Sequence, residues 1–519
     1  MGVGAVEQIC NFITGAMESR QVLNSSRFYV DVHQTAGVRL AISVGLPLLV
    51  LAAVYYWFTK SIVSVKFSKS GLQLPPGSPW ILPLCGETFQ LAYDMDSYVT
   101  SRVQRYGETF SSHLFGVHTV MVTNVDAIRH VLASPHHKEF TSIFPPMVRK
   151  VIGPQSVSQI PVGTPMHTTL RRLYYRRTKA ENVSSLIPNI DAVVQTCLNS
   201  WAELGTVKAY PELKKVVFSI ALSLVFGEDK PDREEKEIFH QHINNLVQGV
   251  SSLPINIPGT GHNKAVKAIK AIHDLTERIM EKRKGTKGDN HALHQDLLGD
   301  LMNFSISEGI TGLTHAQILD NVTFAVSIAH QTSTSSLTWL LKFLAESPTD
   351  VQEIIAEHKA IADSKGSKEY ELTYDDTLRM PASARAFMET NRVANPAFGT
   401  VRTATNDGEL NGNLIPKGWS VILSFRPTHY NPKYFPDPCK FNPSRFKTSP
   451  PPPGTFLSFG TGPRTCPGVD LAKTEALVFL HRLVLGYRWE LLDNRDAGVT
   501  FPVPAPKGGL PIKVSRIEQ

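Results

Sequence analysis

The residues best placed to do chemistry lie in Phe459-Gly460-Thr461-Gly462-Pro463-Arg464-Thr465-Cys466-Pro467-Gly468. A single cysteine sits in a loop bent by glycine and proline, just ahead of a helical run over 469–485. Unpaired N–H groups at a helix N-terminus favour negative charge and lower a thiol's pKa. A thiolate held there suits a soft metal, and it is one of the axial ligands of heme iron. Arg464, two residues earlier, can pair with an anion such as a heme propionate. The competing reading is a buried structural cysteine in a turn.

Three other constellations carry chemistry. Thr314-x-x-Gln317 reads as a capping box that opens a helix running to Glu346, ahead of Pro348. At about 1.5 Å per residue that helix is on the order of 50 Å long, enough to cross the molecule. Its flanks are apolar, yet its middle is His330-Gln331-Thr332-Ser333-Thr334-Ser335-Ser336, which is costly to bury unless satisfied or functional. His167 and Arg171 are four apart and share a helical face. Arg172, Arg176, Arg177 and Lys179 make that helix strongly basic, and alone it reads as a solvated face. Glu389 and Arg392 at i, i+3 can pair, which on a surface is worth little.

Together these motifs carry a family resemblance. Phe-x-x-Gly-x-Arg-x-Cys-x-Gly over 459–468 resembles the heme loop of the cytochrome P-450 monooxygenases, and the resemblance covers about residues 70–519. It implies a mainly α fold with small β-sheets. It implies heme b with its iron ligated by Cys466, Phe459 in the loop, and propionates held by His167, Arg171, Arg402 and Arg464. It implies a buried structural triad of Glu389, Arg392 and Arg445, the last from Phe441-Asn442-Pro443-Ser444-Arg445-Phe446. Ile328-Ala329-His330-Gln331-Thr332-Ser333 aligns with Ala/Gly-Gly-x-Asp/Glu-Thr-Thr/Ser. Thr332 then matches the alcohol that assists proton delivery during oxygen activation. Gln331 fills the acid position and has no readily ionised proton. Either water relays protons through Thr332 and Ser333, or His330 contributes, or oxygen activation is altered. Ala329, Ala397, Phe398 and Thr400 would face the substrate, and Phe501-Pro502-Val503-Pro504 resembles another pocket-lining turn. Electrons would come from NADPH through NADPH-cytochrome P-450 reductase, docking by an acidic surface on the basic helix in a salt-sensitive way.

Within the superfamily the chain looks most like the plant clan that hydroxylates sterols, triterpenoids and diterpenoids. The carriers are His167-x-x-x-Arg171, Leu253-Pro254-Ile255-Asn256-Ile257-Pro258-Gly259, Ile415-Pro416-Lys417-Gly418-Trp419 and Phe479-Leu480-His481-Arg482-Leu483-Val484. Arg392-Val393-Ala394-Asn395 and Ser424-Phe425-Arg426 lean toward brassinosteroid-type hydroxylases, while 329–333 leans away. The expected activity is hydroxylation of a hydrophobic steroid or terpenoid. A heme-thiolate isomerase or lyase acting on a peroxide without reductase is the alternative, and a non-catalytic heme-binding protein the third reading. Dependence on NADPH separates the first two.

Length, charge and hydropathy frame the rest. The chain has 519 residues, ordinary globular composition and a net charge of +7. No Lys/Arg run is interleaved with aromatics, which argues against nucleic acid. Its five cysteines form no CxxC pair, which argues against a disulfide framework or a zinc site and for a reducing compartment. Residues 1–37 form an N-terminal extension whose Glu7, Glu18 and Asp31 oppose a transit peptide. Residues 38–59 are expected to be a single transmembrane anchor: 40–58 is apolar except for Ser43, Gly45 and Pro47, and ends in Tyr55-Tyr56-Trp57-Phe58. Basic residues flank it on both sides (Arg20, Arg27, Arg39; Lys60, Lys66, Lys69), so charge does not orient it. The resemblance implies the endoplasmic reticulum membrane, with the catalytic domain cytosolic. Residues 60–79 form a basic, proline-rich linker, and 80–519 the catalytic domain. Within it, 109–114 and 119–123 read as a hairpin across 115–118, and 184–250 and 263–285 as helices. The segment 253–261 between them suits a membrane-dipping substrate entrance.

Overall fold

The structure is a computed structural model. It describes residues 71–78, 86–133, 139–144, 146–250, 252, 256–285, 295–304, 312–366, 370–493, 498–499 and 503–518, with seven residues between 45 and 57. The chain forms two compact units, Met1–Lys66 and Phe67–Gln519. Of the first, Gly45, Pro47, Leu49, Val50, Ala53, Val54 and Trp57 are described and helical, and Leu49, Val50, Val54 and Trp57 are exposed. Among the described residues no helix is long and apolar enough to cross a membrane. The expected anchor over 38–59 and the extension 1–37 lie mostly or wholly outside them, as do Phe501, Pro502 and 253–255.

The second unit is mainly helical. Its labelled helices are α1 (Met95–Tyr106), α2 (Val125–Ala133), α3 (Pro165–Thr178), α4 (Ile187–Leu204), α5 (Ala209–Phe226), α6 (Arg233–Val250), α7 (Gly261–Gly285), α8 (His315–Ala345), α9 (Pro348–Lys365), α10 (Pro381–Val393) and α11 (Val469–Gly486). The expected helical stretch 184–250 is divided into α4, α5 and α6 with strand β4 (Thr206–Lys208) between the first two. Gly205 (φ 68°) and Gly227 (φ 57°) end α4 and α5, because the left-handed region that stops a helix is open to glycine.

The largest sheet has five strands, in the order β1 (Thr109–Leu114), β2 (Val117–Val122), β6 (Ser420–Ser424), β5 (Gly399–Ala404), β3 (Phe140–Thr141). β1 and β2 are antiparallel with Leu114 opposite Val117, so the hairpin turns on two residues rather than the expected four. Phe115 (φ 53°) and Gly116 (φ 76°) give the mirror-image turn that matches strand twist. Phe115 is an unusual residue there, and burial of its ring beside Leu114 and Phe110 offsets the strain. A second sheet joins β4, β8 (Pro511–Arg516) and β7 (Tyr487–Leu491).

α8 organises the helices. Thr314 and Gln317 form the expected capping box, each side chain bonding the other's backbone N–H. The N-terminal half (Ile318, Leu319, Val322, Val326) packs in one apolar core with α3, α5, α6 and α7. The C-terminal half (Leu337, Leu340, Leu341, Leu344) packs in another with α4, α5, α10 and α11. Residues 327–336 belong to neither core. The polar centre of the sequence is thus the seam between two hydrophobic cores, which is where a fold of this size can keep a site without unpacking itself.

Candidate active site

The cysteine loop is held by its own backbone. Gly462–Arg464 is a short 3₁₀ turn; Cys466 N–H donates to the Phe459 carbonyl at 2.8 Å and Thr465 N–H to that of Gly462 at 3.0 Å. Gly462 has φ 73°, and a Cβ there would come within 2.5 Å of the Leu132 carbonyl, so α2 packs against the loop only because this residue is glycine. Phe459 supports the loop from within, its ring 6.0 Å from that of Phe387. The thiol does not sit on the first turn of α11; Gly468 takes the N-cap position. Burial pushes the Cys466 thiol up, against a bond from Gly468 N–H and the charge of Arg171. The lowering expected from a helix N-terminus is outweighed by desolvation, and a bound metal cation is what would hold the thiolate there.

α3 clamps the same loop. Arg171 donates to the Thr465 carbonyl at 2.7 Å and to Tyr175 Oη at 2.9 Å, and Thr178 Oγ1 bonds the Pro467 carbonyl at 2.5 Å. His167 lies one turn before Arg171 and is buried; Thr164 caps the helix through its N–H. Arg402, on β5, is buried, donating to Thr400 Oγ1 and the Val401 carbonyl, both at 2.8 Å. Arg464 donates to the carbonyls of Val157 and Ser158, both at 3.2 Å, and to that of Ile160. Nε of Arg402 and Nε of Arg464 are buried without a partner. Burial pushes Arg402 down to about 10 and, with the charges of Arg402 and Arg171 adding to it, Arg464 down to about 9. Among the described residues none of these three guanidiniums has a carboxylate in ion-pair range. Three neighbouring cations with no anion and two spare buried donors are a donor set for a group bearing two carboxylates. Beside a buried cysteine, that fits heme.

Glu389, Arg392 and Arg445 meet as expected. Arg392 grips Glu389 through two bonds of 2.8 Å, and Arg445 Nε adds one of 2.9 Å. The remaining guanidinium donors go to carbonyls of His429, Pro436, Asp437 and Lys440. Asn391, next to Arg392, accepts at its carbonyl from Ser458 Oγ at 2.8 Å, which ties α10 to the segment leading into the cysteine loop.

On α8, Thr332 Oγ1 donates to the Ile328 carbonyl, one turn back, at 3.0 Å. Ile328 is 48% exposed in the middle of a helix whose other residues are mostly buried, and Ala329 and Thr332 are half-buried. These three share the one accessible face in the middle of the helix; the sequence reading named Ala329 and Thr332 but passed over Ile328. His330, two residues before Thr332, is turned about 200° away. It is fully buried against Phe218 of α5, its Nε2 3.3 Å from His240 of α6 and its Nδ1 3.2 Å from the Gln331 amide. Burial, with the charges of Lys214 and His240, pushes it well below the usual imidazole range, and its ring faces α5 and α6. Gln331 is likewise engaged with His330. Ser333 hydrogen-bonds Glu475 of α11, a fully buried carboxyl that the sequence reading missed. Along the chain it follows Lys473 and Thr474 and looks like part of a polar helix face; only its burial beside Leu471, Ala476, Leu477 and Val478 sets it apart.

Ala397, Phe398 and Thr400 are half-buried at the start of β5, Thr400 already accepting from Arg402. On the basic helix α3 the expected uniform patch is broken. Arg177 turns inward to chelate Asp300, with one bond of 2.7 Å, while Arg172, Arg176 and Lys179 stay exposed.

The family model for cytochrome P-450 matches residues 75–510. Abscisic acid 8'-hydroxylase 4 of Arabidopsis thaliana is 36% identical over 473 residues, 91% of this chain and 98% of that protein. Abscisic acid 8'-hydroxylase 1 of Oryza sativa subsp. japonica is 38% identical over 450 residues, 86% of this chain and 91% of that protein. The solved structure of retinoic acid bound cyanobacterial CYP120A1 superposes with a TM-score of 0.78 at 26% identity, covering 86% of this chain and all of the other. The chain belongs to the cytochrome P-450 family, monooxygenases that use heme with cysteine-ligated iron and electrons supplied by a reductase.

Proposed function

We propose that the chain hydroxylates a hydrophobic terpenoid, with Cys466 as the iron ligand and the Ile328–Thr332 face of α8 as the reacting wall. The observation that carries the substrate class is the likeness, at 36% and 38% identity over most of the chain, to enzymes named for abscisic acid hydroxylation. The walls support it: Ile328, Ala329, Ala397 and Phe398 are apolar and fit a hydrocarbon body. The steroid reading rests on shorter sequence motifs and stands second.

When bound, heme supplies activation of dioxygen, one atom entering the substrate and the other leaving as water. Cys466 contributes a negative charge, kept from solvent by its loop. Arg171, Arg402, Arg464 and His167 would hold the two carboxylates of the group. Ile328 and Ala329 exclude water, while Ala397, Phe398 and Thr400 orient the substrate. Thr332 holds a proton at Oγ1; that hydroxyl can leave the Ile328 carbonyl by a rotation and turn into the site.

Residues 38–59 are proposed as a single-pass anchor in the endoplasmic reticulum membrane, 60–79 as a linker, and 80–519 as a cytosolic catalytic domain taking electrons from NADPH-cytochrome P-450 reductase. The apolar run and the exposed helical Leu49, Val50, Val54 and Trp57 support the anchor.

The test is a spectral titration of the purified ferric protein with abscisic acid, neutral terpenoids and sterols, followed by turnover with NADPH and reductase. A saturable low- to high-spin shift with a terpenoid, and a hydroxylated product that requires NADPH, is the expected result. A shift with sterols alone moves the assignment to the steroid reading, and turnover of a peroxide without NADPH replaces it with the isomerase.

A further inference from the structure

Two proline-rich stretches of the chain are used differently by the fold. The first lies along β1: the Pro75 carbonyl accepts from Ser111 Oγ at 2.9 Å and that of Pro76 from Ser111 N–H at 2.8 Å. The second, Pro450-Pro451-Pro452-Pro453, pairs with no strand. Its rings fix φ, and each proline but the last precedes another, which holds ψ extended. Pro453 is the second residue of a turn closed by Thr455 N–H on the Pro452 carbonyl at 3.1 Å, with Gly454 third at φ 75°. That turn type leaves its second residue extended as well. The four prolines thus form a left-handed polyproline helix of three residues per turn.

Arg129 of α2 anchors this strap by donating to the carbonyls of Pro453 and, at 3.3 Å, Gly454. Pro450, Pro452 and Pro453 are exposed, and Pro451 is half-buried. Among the described residues no hydrogen bond reaches the carbonyls of Pro450 and Pro451. Lys447, three residues ahead of Pro450 at the end of the short helix Arg445–Thr448, is exposed, and among the described residues it has no carboxylate in ion-pair range.

We propose that residues 447–453 are a docking ridge for a partner domain of the SH3 type, which reads a polyproline helix in an aromatic-lined groove with an acidic rim. Three residues per turn put Pro450 and Pro453 on one edge, about 9 Å apart, each facing one slot between aromatic rings. Indole N–H and phenol O–H donors between the slots meet the open carbonyls of Pro450 and Pro451. A rim carboxylate meets Lys447, and because that charge stands at one end only, it sets the direction in which the ridge lies in the groove. Arg129 and the turn at Gly454 hold the ridge in its bound shape, so docking avoids the ordering cost that a free peptide carries. The inference is independent of the substrate reading.

The test is surface plasmon resonance of the full-length holoprotein, in detergent, over a panel of immobilised SH3 domains selective for basic-x-x-Pro-x-x-Pro ligands. Saturable binding is expected to at least one, and none to the same domain with its groove tryptophan replaced by lysine. Lys447→Ala and Pro450→Ala should each weaken binding on the order of tenfold, the former being the worth of one charged contact. Pro452→Ala, exposed but off the shared edge, should change it less than about twofold, the measure of a polyproline helix left otherwise intact. The heme spectrum should be the same in all three variants. No saturable binding across the panel, or binding that Lys447→Ala and Pro450→Ala leave intact, overturns the proposal. Binding by WW domains or profilin alone, which read proline without the acidic rim, overturns the assigned partner.

Discussion

Burial disfavours the charged forms of Cys466, Arg402 and Arg464 in the free chain, and an anionic, metal-bearing group would satisfy all three. Burial raises the thiol and lowers Arg402 and Arg464, so each of these groups pays for its place. Two outcomes follow at this scale. Cys466→Ala removes the iron ligand and should abolish the heme spectrum of the purified protein while leaving its far-ultraviolet circular dichroism intact. A retained thiolate-type spectrum would mean that another residue ligates the iron. Arg402→Met removes a buried cation whose bonds within the chain go to Thr400, the Val401 carbonyl and, at 3.5 Å, Ser142 Oγ. Its effect should be opposite in the two forms. The apoprotein should lose little or gain stability, because an uncompensated charge is gone. The holoprotein should lose heme to an acceptor on the order of tenfold faster, the worth of one charged hydrogen bond. Equal destabilisation of both forms would show that Arg402 serves the β-sheet and not the bound group.

At the scale of elements, the loop and the helices that carry it explain what could be read from sequence and what could not. The capping box at Thr314, the pairing of Glu389 with Arg392, and the cysteine loop itself were legible because each is local: spacing along one helix or turn fixes the geometry. Arg177 was not, since its partner Asp300 lies 123 residues away and only the packing of α3 brings them together. Glu475 was hidden for the same reason, as its meaning depends on Ser333 across a helix interface. The hairpin turn was misjudged by two residues because Phe115 is a poor turn former, and its burial overrode that preference. Gly462 is the element-scale test of the loop. Gly462→Ala places a Cβ 2.5 Å from the Leu132 carbonyl at φ 73°, so α2 or the loop must give way. A loss of roughly 2–4 kcal/mol in unfolding free energy is expected, with reduced heme incorporation. Gly486→Ala, at a helix end with open space around it, is the matched control and should change little.

For the whole molecule, α8 crossing between two cores makes stability and site depend on the same buried polar groups, and the buried histidines set the acid limit. His358 and His481 share a bond of 2.9 Å between Nδ1 atoms, continued to Ser383 and Tyr370. His429 accepts from the Leu457 N–H at 2.8 Å, just ahead of the cysteine loop. Burial lowers His358 to about 3, helped by His481; it lowers His481 to about 4, helped by Arg482, and His429 to about 3, helped by Arg392 and Arg426. Each binds a proton more readily unfolded than folded. Between the unfolded value near 6.5 and these folded values the unfolded chain therefore carries more protons, and stability falls as pH falls. At pH 5 each group contributes roughly 2 kcal/mol of loss, about 6 kcal/mol together, which is comparable to the whole stability of a typical domain. Glu475 works in the other direction: with a folded value raised to about 8 it costs stability as pH rises from about 4.5 toward 8. The protein should thus have a narrow stability maximum near pH 6.5–7. Thermal unfolding followed by circular dichroism from pH 5 to pH 8 reads both limbs. In Glu475→Gln the acid limb should steepen, because its opposing contribution between about pH 4.5 and 8 is gone, while the alkaline limb flattens. An unfolding temperature that is level from pH 7 down to pH 5 would show that these three histidines are not held neutral by the fold.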